Sequence, residues 1–260
     1  MRTIDRVGSA VSDGTDRVAV VTGGAAGLGL ATAELLARHG QRVVVVDRDA
    51  ERGRAAVADL VESDLPVWFE HADVGDAASV EALAARLRDG VGRVDALVNN
   101  AGIAMREGSV ATLTLKQWEL TIRVNLTSVY LMSHALIPLM PSGSSIVNVS
   151  TTGALRAVSG TDAYLAAKGG VISLSKAMAV SLGDLGIRVN VVCPGVVLTD
   201  EVAGRTDDPR VQAMLARSGA PQGRDFGTPS EFASVVRFLL SDDASYVNGT
   251  TLSVDGGALS

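Results

Sequence analysis

Residues 18–29 have the sequence VAVVTGGAAGLG, in which a β-branched apolar run leads into a glycine-rich turn. The run predicts a buried strand, and the apolar spacing after the turn predicts a helix. This is the context of a dinucleotide site, because the amides at a helix N-terminus face an anion. Gly23 would allow the tight turn, Gly27 the approach of a pyrophosphate, and Gly29 close packing of the helix on the sheet. An ordinary strand-to-helix turn would explain the same glycines.

The second predicted strand ends in an acid, as a dinucleotide site requires. Val43–Val46 is followed by Asp47, whose carboxylate can accept hydrogen bonds from the adenosine ribose while it repels a 2′-phosphate. These features predict NAD(H) as the cofactor rather than NADP(H). Arg48 is a contrary signal, since an arginine can pair with a phosphate, but the glycine turn contains no lysine or arginine to assist it. The alternative interpretation of Asp47 is a solvated strand end.

Apolar strand-like stretches alternate with alanine- and leucine-rich stretches of helical spacing along the whole chain. The predicted strands are Arg17–Thr22, Arg42–Asp47, Val67–Asp73, Ala96–Asn99, Ser145–Ser150, Arg188–Cys193 and Thr251–Val254. Unbroken apolar strands that alternate with helices predict a parallel sheet covered on both faces. We therefore predict an α/β protein with a doubly wound parallel sheet, a Rossmann-type three-layer α/β/α fold. Residues 1–15 are interpreted as a flexible tail and residues 16–260 as a single domain.

Composition restricts the classes of function. The 260 residues are 47% hydrophobic with a formal net charge of −6, which suits one large core and argues against nucleic acid or an anionic membrane as partner. No apolar run reaches the roughly 18 to 20 residues that span a bilayer. The single cysteine, Cys193, excludes an intramolecular disulfide and suits the cytoplasm. His39, His71 and His134 lack metal-ligand spacing, so no metal site is predicted.

A tyrosine and a lysine stand four residues apart in a predicted helix, at Tyr164 and Lys168. This spacing places a phenol and an ammonium on one face, where the cation would favour the phenolate and lower the pKa of Tyr164. Such a tyrosine is a general acid/base for a carbonyl or alcohol oxygen. The pair alone is common on helix surfaces, and its weight comes from the glycine turn in the same chain.

The combined motifs resemble those of the short-chain dehydrogenase/reductase family, in its compact single-domain branch. The likeness covers nearly everything from Arg17 to Gly257. Thr22–Gly29 is similar to the family's Thr-Gly-x-x-x-Gly-x-Gly and Asn99–Gly102 to its Asn-Asn-Ala-Gly, while Tyr164 and Lys168 match its Tyr-x-x-x-Lys. Its helix asparagine and its Pro-Gly turn correspond to Asn125, Pro194 and Gly195.

The resemblance implies the roles of the site residues. The implied catalytic residues are Asn125, Thr151, Tyr164 and Lys168. Tyr164 would exchange a proton with the substrate oxygen while hydride passes to or from nicotinamide. Lys168 would bind the nicotinamide ribose, and Asn125 would hold a water or, in the alternative interpretation, bond the main chain. The implied cofactor-binding residues are Gly23, Ala26, Gly27, Leu28, Gly29, Asp47, Arg48, Asp73, Val74, Asn99, Ala101, Gly102, Tyr164, Lys168, Pro194, Gly195, Val197 and Thr199.

Within that resemblance, Asp73 and Val74 would contact adenine, and Val197 and Thr199 would hold the carboxamide. Asn99 is expected near the cofactor, whereas Asn100 is expected to tie the sheet together.

The chain departs from the family where a serine usually holds the substrate oxygen, thirteen residues before the tyrosine. That position is Thr151, and Ser150 is its neighbour. Threonine has the same hydroxyl, so the chemistry would survive. Strand alternation sends the two side chains to opposite faces, so only one should serve. We favour Thr151, although the early position of Gly153 would shift the register to Ser150.

The sequence is therefore interpreted as an NAD(H)-dependent oxidoreductase that interconverts a secondary alcohol and a ketone of a small or medium substrate, with a 3-oxoacyl chain among the candidates. The alternatives are a catalytically silent NAD-binding or redox-sensing protein and a methyltransferase, which leaves Tyr164, Lys168 and Asn125 unexplained. A homotetramer is implied, with helix pairing around Asn125 and Tyr164 and strand contacts near Thr250–Gly257. The apolar helix faces that would then be shared between subunits are Val129, Leu131 and Met132 on one helix and Val171, Ile172 and Leu174 on the other. The segments expected to line the substrate are Ile103–Gly108, Gly153–Asp162 and a lid at Asp200–Gly227. Their residues do not identify the substrate.

Overall fold

The computed structural model describes residues 17–103, 108–204 and 226–260. The predicted tail at residues 1–15 and most of the predicted lid, residues 205–225, lie outside the described residues. The strands are β1 (Val18–Thr22), β2 (Arg42–Asp47), β3 (Val67–His71), β4 (Ala96–Asn99), β5 (Ser145–Val149), β6 (Arg188–Pro194) and β7 (Thr251–Val254).

The helices follow the strands in the alternating order that the sequence predicts. They are α1 (Gly27–Arg38), α2 (Ala50–Glu62), α3 (Ala77–Gly90), α4 (Leu115–Ile122), α5 (Ser128–Leu136), α6 (Gly153–Arg156), α7 (Asp162–Ser181), α8 (Asp200–Ala203) and α9 (Pro229–Leu240). A π turn at Arg123–Thr127 joins α4 to α5. In the described part of the chain, no helix is long and apolar enough to cross a membrane.

All described strands pair in parallel, in the order β3-β2-β1-β4-β5-β6-β7. The order reverses between β1 and β4, so the sheet is doubly wound, and the predicted fold class is confirmed. In such sheets the ligand crevice lies outside the carboxyl ends of the strands at this switch point.

Each face of the sheet carries its own core, which explains why the strands are apolar along their whole length. Val18 and Val20 pack on one face with α3, α5 and α7, while Ala19 and Val21 pack on the other with α1, α2 and α9. All four of these strand residues are fully buried. Successive residues of a strand point to opposite faces of the sheet. A sheet that is covered on both faces therefore needs apolar residues at every position of its strands, odd and even alike.

One predicted strand end is wrong by two residues, while three others differ by a single residue. β3 was expected to reach Asp73 but ends at His71. The Asp73 carboxylate accepts a hydrogen bond from Gly75 N (2.8 Å), and Asp73 N donates to the Ser79 hydroxyl (3.0 Å). These local bonds turn the chain, because aspartate side chains compete with strand pairing for the backbone amides.

The switch point is tied by two side chains. The Thr22 hydroxyl accepts hydrogen bonds from Asn100 N and Ala101 N, both at 3.0 Å, and donates to the Val98 carbonyl (3.2 Å). Asn100 Nδ2 donates to the carbonyls of Thr22 (2.9 Å) and Gly23 (3.1 Å). The ends of β1 and β4 are thus locked together, as expected for Asn100.

Candidate active site

The glycine turn leaves the first amides of α1 free of side-chain caps. Ala26, the residue before α1, makes no side-chain cap hydrogen bond. Gly27 has a φ of +53°, which glycine adopts without strain, and a Cβ there would lie 3.3 Å from Thr199 Cγ2. A Cβ on Gly29 would overlap the Gly23 carbonyl, so the third glycine permits α1 to begin against the turn. The uncapped amides and the close backbone suit an anionic group.

The acid at the end of β2 lies beside this turn. Asp47 is half-buried, and its carboxylate accepts hydrogen bonds from Ala25 N (3.3 Å) and Asp49 N (3.1 Å). The carboxylate is therefore oriented by the turn that would hold the phosphates. Arg48 is exposed, and its carbonyl lies 3.1 Å from His71 Nε2.

The end of the neighbouring strand β3 is followed by the two residues that were predicted to contact adenine. Asp73 is half-buried and Val74 is buried. The chain here runs alongside the end of β2, because Ala72 N donates to the Asp47 carbonyl (3.1 Å). The two acids therefore follow neighbouring strands at the same edge of the sheet.

The Asn99 side chain lies in a buried polar network rather than in the crevice. Its Nδ2 donates to Asn148 Oδ1 (2.8 Å) and to the Ser133 hydroxyl (3.2 Å), and Asn148 Nδ2 donates to the Ser175 hydroxyl (2.8 Å). The network ties β4 and β5 to α5 and α7. A cofactor contact by Asn99 would accordingly involve its main chain.

Three of the predicted catalytic and cofactor residues meet where the chain leaves β4. Asn125 is fully buried in the π turn, and its side chain accepts from Ile103 N (3.1 Å) and donates to the carbonyls of Ile103 (3.0 Å) and Thr121 (3.1 Å). A Cβ on Gly102 would lie 2.7 Å from Asn125 Oδ1 and 3.4 Å from Lys168 Nζ. Asn125 thus bonds the main chain, as the alternative interpretation held.

Tyr164 and Lys168 share α7, but their electrostatics differ from the expectation. Lys168 Nζ donates to the Val149 carbonyl (2.8 Å) and lies 5.9 Å from the centre of the Tyr164 ring. Burial lowers the pKa of Lys168 to about 8 and raises the pKa of Tyr164 to about 12. The predicted lowering of the tyrosine pKa is therefore wrong for this structure, because burial penalises the charged phenolate.

Ser150 and Thr151 have different surroundings. Ser150 is buried, and its hydroxyl donates to the Lys168 carbonyl (2.9 Å). Thr151 is half-buried, and its hydroxyl accepts from Gly153 N at 3.2 Å. The hydroxyl proton of Ser150 is therefore already donated to a carbonyl of α7, whereas the hydroxyl proton of Thr151 is donated in no described hydrogen bond. Burial raises the pKa of the neighbouring Cys193 thiol.

The segment after β6 closes the site over the glycine turn. Gly195 N donates to the Val254 carbonyl (3.0 Å), and a Cβ on Gly195 would crowd Asp255, 2.8 Å from its Cβ. Val197 forms an isolated parallel bridge with Gly227. Thr199 then reaches Gly27, so the segment predicted to hold the carboxamide meets the turn predicted to hold the phosphates.

Sequence reasoning missed two features that build this site. The π turn around Asn125 has no signal in apolar spacing, and the bond from Ser150 to α7 joins residues 18 positions apart. A buried threonine at the end of an apolar strand, Thr22, could have been identified as a polar tie. Residues 104–107 of the predicted substrate lining lie outside the described residues. Among residues 17–103, 108–204 and 226–260, no group of three or more His, Cys, Asp or Glu could hold a metal ion.

Known proteins resemble the chain along almost its full length. A family model described as Enoyl-(Acyl carrier protein) reductase matches residues 23–258. Levodione reductase of Leifsonia aquatica is 37% identical over 252 residues, 94% of each chain. D-threitol dehydrogenase of Mycolicibacterium smegmatis is 40% identical over 243 residues, 93% of this chain and 92% of that one. A crystal structure of a short chain dehydrogenase from Burkholderia cenocepacia in complex with NADP has a TM-score of 0.87 at 32% identity, and the match covers 96% of this chain and 100% of that chain.

These similarities extend through the sequence and the fold over nearly the whole chain. The relatives are named as dehydrogenases and reductases, and one structure of the same fold contains a nicotinamide dinucleotide. They support an oxidoreductase with a nicotinamide cofactor. The chain belongs to the short-chain dehydrogenase/reductase family.

Proposed function

We propose that this protein is an NAD(H)-dependent oxidoreductase that interconverts a secondary alcohol and a ketone. The observation that carries the proposal is the meeting of Lys168, Asn125 and Gly102 beside Tyr164, at the end of the sheet where the uncapped turn before α1 also lies. The residues at that edge fit a dinucleotide. When bound, the cofactor would supply or accept the hydride.

Each side chain has a role that its surroundings support. Tyr164 keeps its proton at neutral pH, since burial raises its pKa to about 12, and can donate it to a carbonyl oxygen. Lys168, with a pKa of about 8, is mostly an ammonium at pH 7 and would bind ribose hydroxyls. Thr151 has a hydroxyl proton to offer to the substrate oxygen. Asn125 fixes the backbone at Ile103 and with it the wall beside Lys168.

The substrate class would be tested by an alcohol screen with NAD, followed by the absorbance of NADH. Levodione and D-threitol, for which two relatives are named, belong in the panel together with 3-oxoacyl thioesters for the reverse direction. Bound NADH without turnover across the panel would favour the silent NAD-binding alternative.

The single cysteine, Cys193, which is buried and free, supports a reducing compartment such as the cytoplasm.

Asp47 should select NAD. We expect kcat/KM with NAD to exceed that with NADP by at least about tenfold, because the carboxylate repels a 2′-phosphate at close range. Asp47→Ala should narrow the gap, chiefly by weakening NAD binding. Arg48→Ala is the companion variant, since it removes the cation next to Asp47 in the sequence and should lower the use of NADP further. Comparable efficiencies of the wild type with both cofactors would refute the preference.

Thr151 should hold the substrate oxygen. We expect Thr151→Ala to lower kcat by roughly 10² or more through loss of a transition-state donor, and Ser150→Ala to cost much less. Thr151→Ser keeps the hydroxyl and is the matched control, which should retain most of the activity. The reverse ranking of the two alanine variants would move the role to Ser150.

Tyr164 should keep its proton well into the alkaline range. Its pKa is raised from 10.0 to about 12, so the retained proton contributes stability that is present below pH 10 and lost as the pH rises towards 12. At about pH 11, the wild type and Tyr164→Phe should therefore have nearly equal tyrosinate absorbance. Tyr246→Phe, at a fully exposed tyrosine, is the matched control. A deficit of one whole tyrosinate in Tyr164→Phe, with both proteins folded by circular dichroism, would contradict the assignment.

We propose a homotetramer, with one change to the surface first expected. Val129, Met132 and Val171 were predicted to lie between subunits, but each is already buried within the chain itself. Tyr130 and Val180 remain outward on α5 and α7, with exposed fractions of 52% and 83%, and support contact there. Leu252 and Tyr246 do the same near β7.

The assembly is tested by light scattering at micromolar concentration. We expect four times the chain mass of 26.7 kDa, and a smaller mass for Tyr130→Glu, since a buried interface would not accept an unpaired carboxylate. Val61→Glu, at a half-exposed position of α2, is the control that should leave the mass unchanged. A wild-type mass of one chain would overturn the proposal.

A further inference from the structure

The chain that leaves β4 is fastened to α7 at a place that the proposed chemistry does not use. Val110 N donates a hydrogen bond to Asp162 Oδ2 at 2.8 Å. Immediately beside it, Gly108 forms an isolated parallel bridge with Thr161. Asp162 is the first residue of α7 and stands two positions before Tyr164. The fastening therefore lies within one helical turn of the proposed acid/base.

The same segment is also held where it begins. Asn125 bonds both the N–H and the carbonyl of Ile103, and Gly102 lies against Lys168 Nζ. The chain after β4 thus meets α7 close to Lys168 and meets it again at its first turn. Tyr164 lies between these two contacts along α7. The chain is therefore positioned by the helix that carries the phenol both at Gly102 and at Val110.

Burial contributes little to the second contact. The Val110 residue is 80% exposed, and Leu115, at the start of α4, is 70% exposed. Apolar packing cannot hold such a turn in place, because its side chains remain in water. A carboxylate that accepts from a backbone N–H makes a charge-assisted hydrogen bond, which is stronger than a bond between neutral groups. This bond is the main restraint that the described contacts offer at Val110.

We propose that Asp162 is a positioning residue that sets the affinity for the substrate. By holding Val110 N–H, its carboxylate keeps the turn Ser109–Thr112 at a constant distance from Tyr164. This turn would thereby shape the wall against which the substrate binds. Asp162 acts through that turn and has no contact with the reacting atoms. The kinetic part of this inference rests on the proposed function.

A purely structural role predicts a different pattern. An acid in the first turn of a helix is favourable because it faces the positive end of the helix dipole, whatever it bonds. Asp162→Asn separates the two roles, since the amide keeps an oxygen acceptor but loses the charge. Asp162→Ala loses both.

The first experiment measures hydrogen exchange at the Val110 amide in the enzyme without substrate. We expect exchange in Asp162→Ala to be faster by about tenfold or more, and in Asp162→Asn to be faster by a clearly smaller factor, because the amide oxygen still accepts the bond but without the charge. Equal exchange in the wild type and Asp162→Ala would overturn the proposal. This readout needs no turnover, so it stands apart from any failure of the proposed function.

The second experiment removes the donor instead of the acceptor. Thr112 N donates to the Ser109 carbonyl, which places Val110 at the second position of a turn, where proline is accepted. Val110→Pro therefore deletes the N–H without changing α7. Val110→Ala keeps the N–H and serves as its matched control.

With the substrate found by the screen, Asp162→Ala and Val110→Pro should each raise the KM for that substrate about tenfold. The KM for NAD and the kcat of each variant should change by no more than about threefold. The double variant should be no worse than either single one, because both remove the same bond. Asp184→Ala, which removes a charge beyond the other end of α7, should leave all constants unchanged. A multiplicative effect in the double variant, or an unchanged KM in Val110→Pro, would refute the positioning role.

Discussion

The hydroxyl of Thr22 makes the contact on which the rest of the site depends. It binds the amides of Asn100 and Ala101 and the carbonyl of Val98, so it joins the end of β1 to the first residues after β4. A buried amide left unpaired costs about 1–3 kcal/mol, which makes an apolar residue at this position costly. The strand order reverses here, and the two chain segments that diverge from this point form the crevice. One carries the glycine turn, and the other carries Gly102 and the wall beside Lys168.

Burial determines the proton chemistry of the site more than the neighbouring charge does. Lys168 is buried and Tyr164 is half-buried, and desolvation shifts the pKa of each in the direction that favours its neutral form. A neutral phenol is a proton donor, which suits the reduction of a carbonyl. The same environment makes the phenolate costly, so in the proposed mechanism the oxidation of an alcohol would have to create a base against the desolvation penalty. The bond from Lys168 to the Val149 carbonyl shows how the buried ammonium is satisfied.

Helix α7 fixes the positions of the proposed catalytic groups, because it is hydrogen-bonded at several points to elements that are distant in sequence. Ser150 binds the carbonyl of Lys168 from the end of β5, and Asp162 binds the turn after β4. The buried amide network from Asn99 through Asn148 joins the same helix to the sheet. A single helix therefore carries both the phenol and the ammonium of the proposed site. This arrangement explains why polar groups such as Asn99, Asn148 and Ser150 are buried around the proposed site.

The amino-acid sequence by itself determined the strands, their parallel arrangement and the family, because unbroken apolar runs and short spaced motifs are local properties. Asp47, Tyr164 and Lys168 could be named in this way. Only the tertiary structure decided that burial raises the pKa of Tyr164, that Ser150 is committed to α7 while Thr151 is not, and that Val129 and Val171 are core residues. It also decided that β3 ends at His71, where side-chain bonds of Asp73 and Ser79 turn the chain. Desolvation and hydrogen-bond partners depend on atoms supplied by residues far along the chain, so no local pattern contains them.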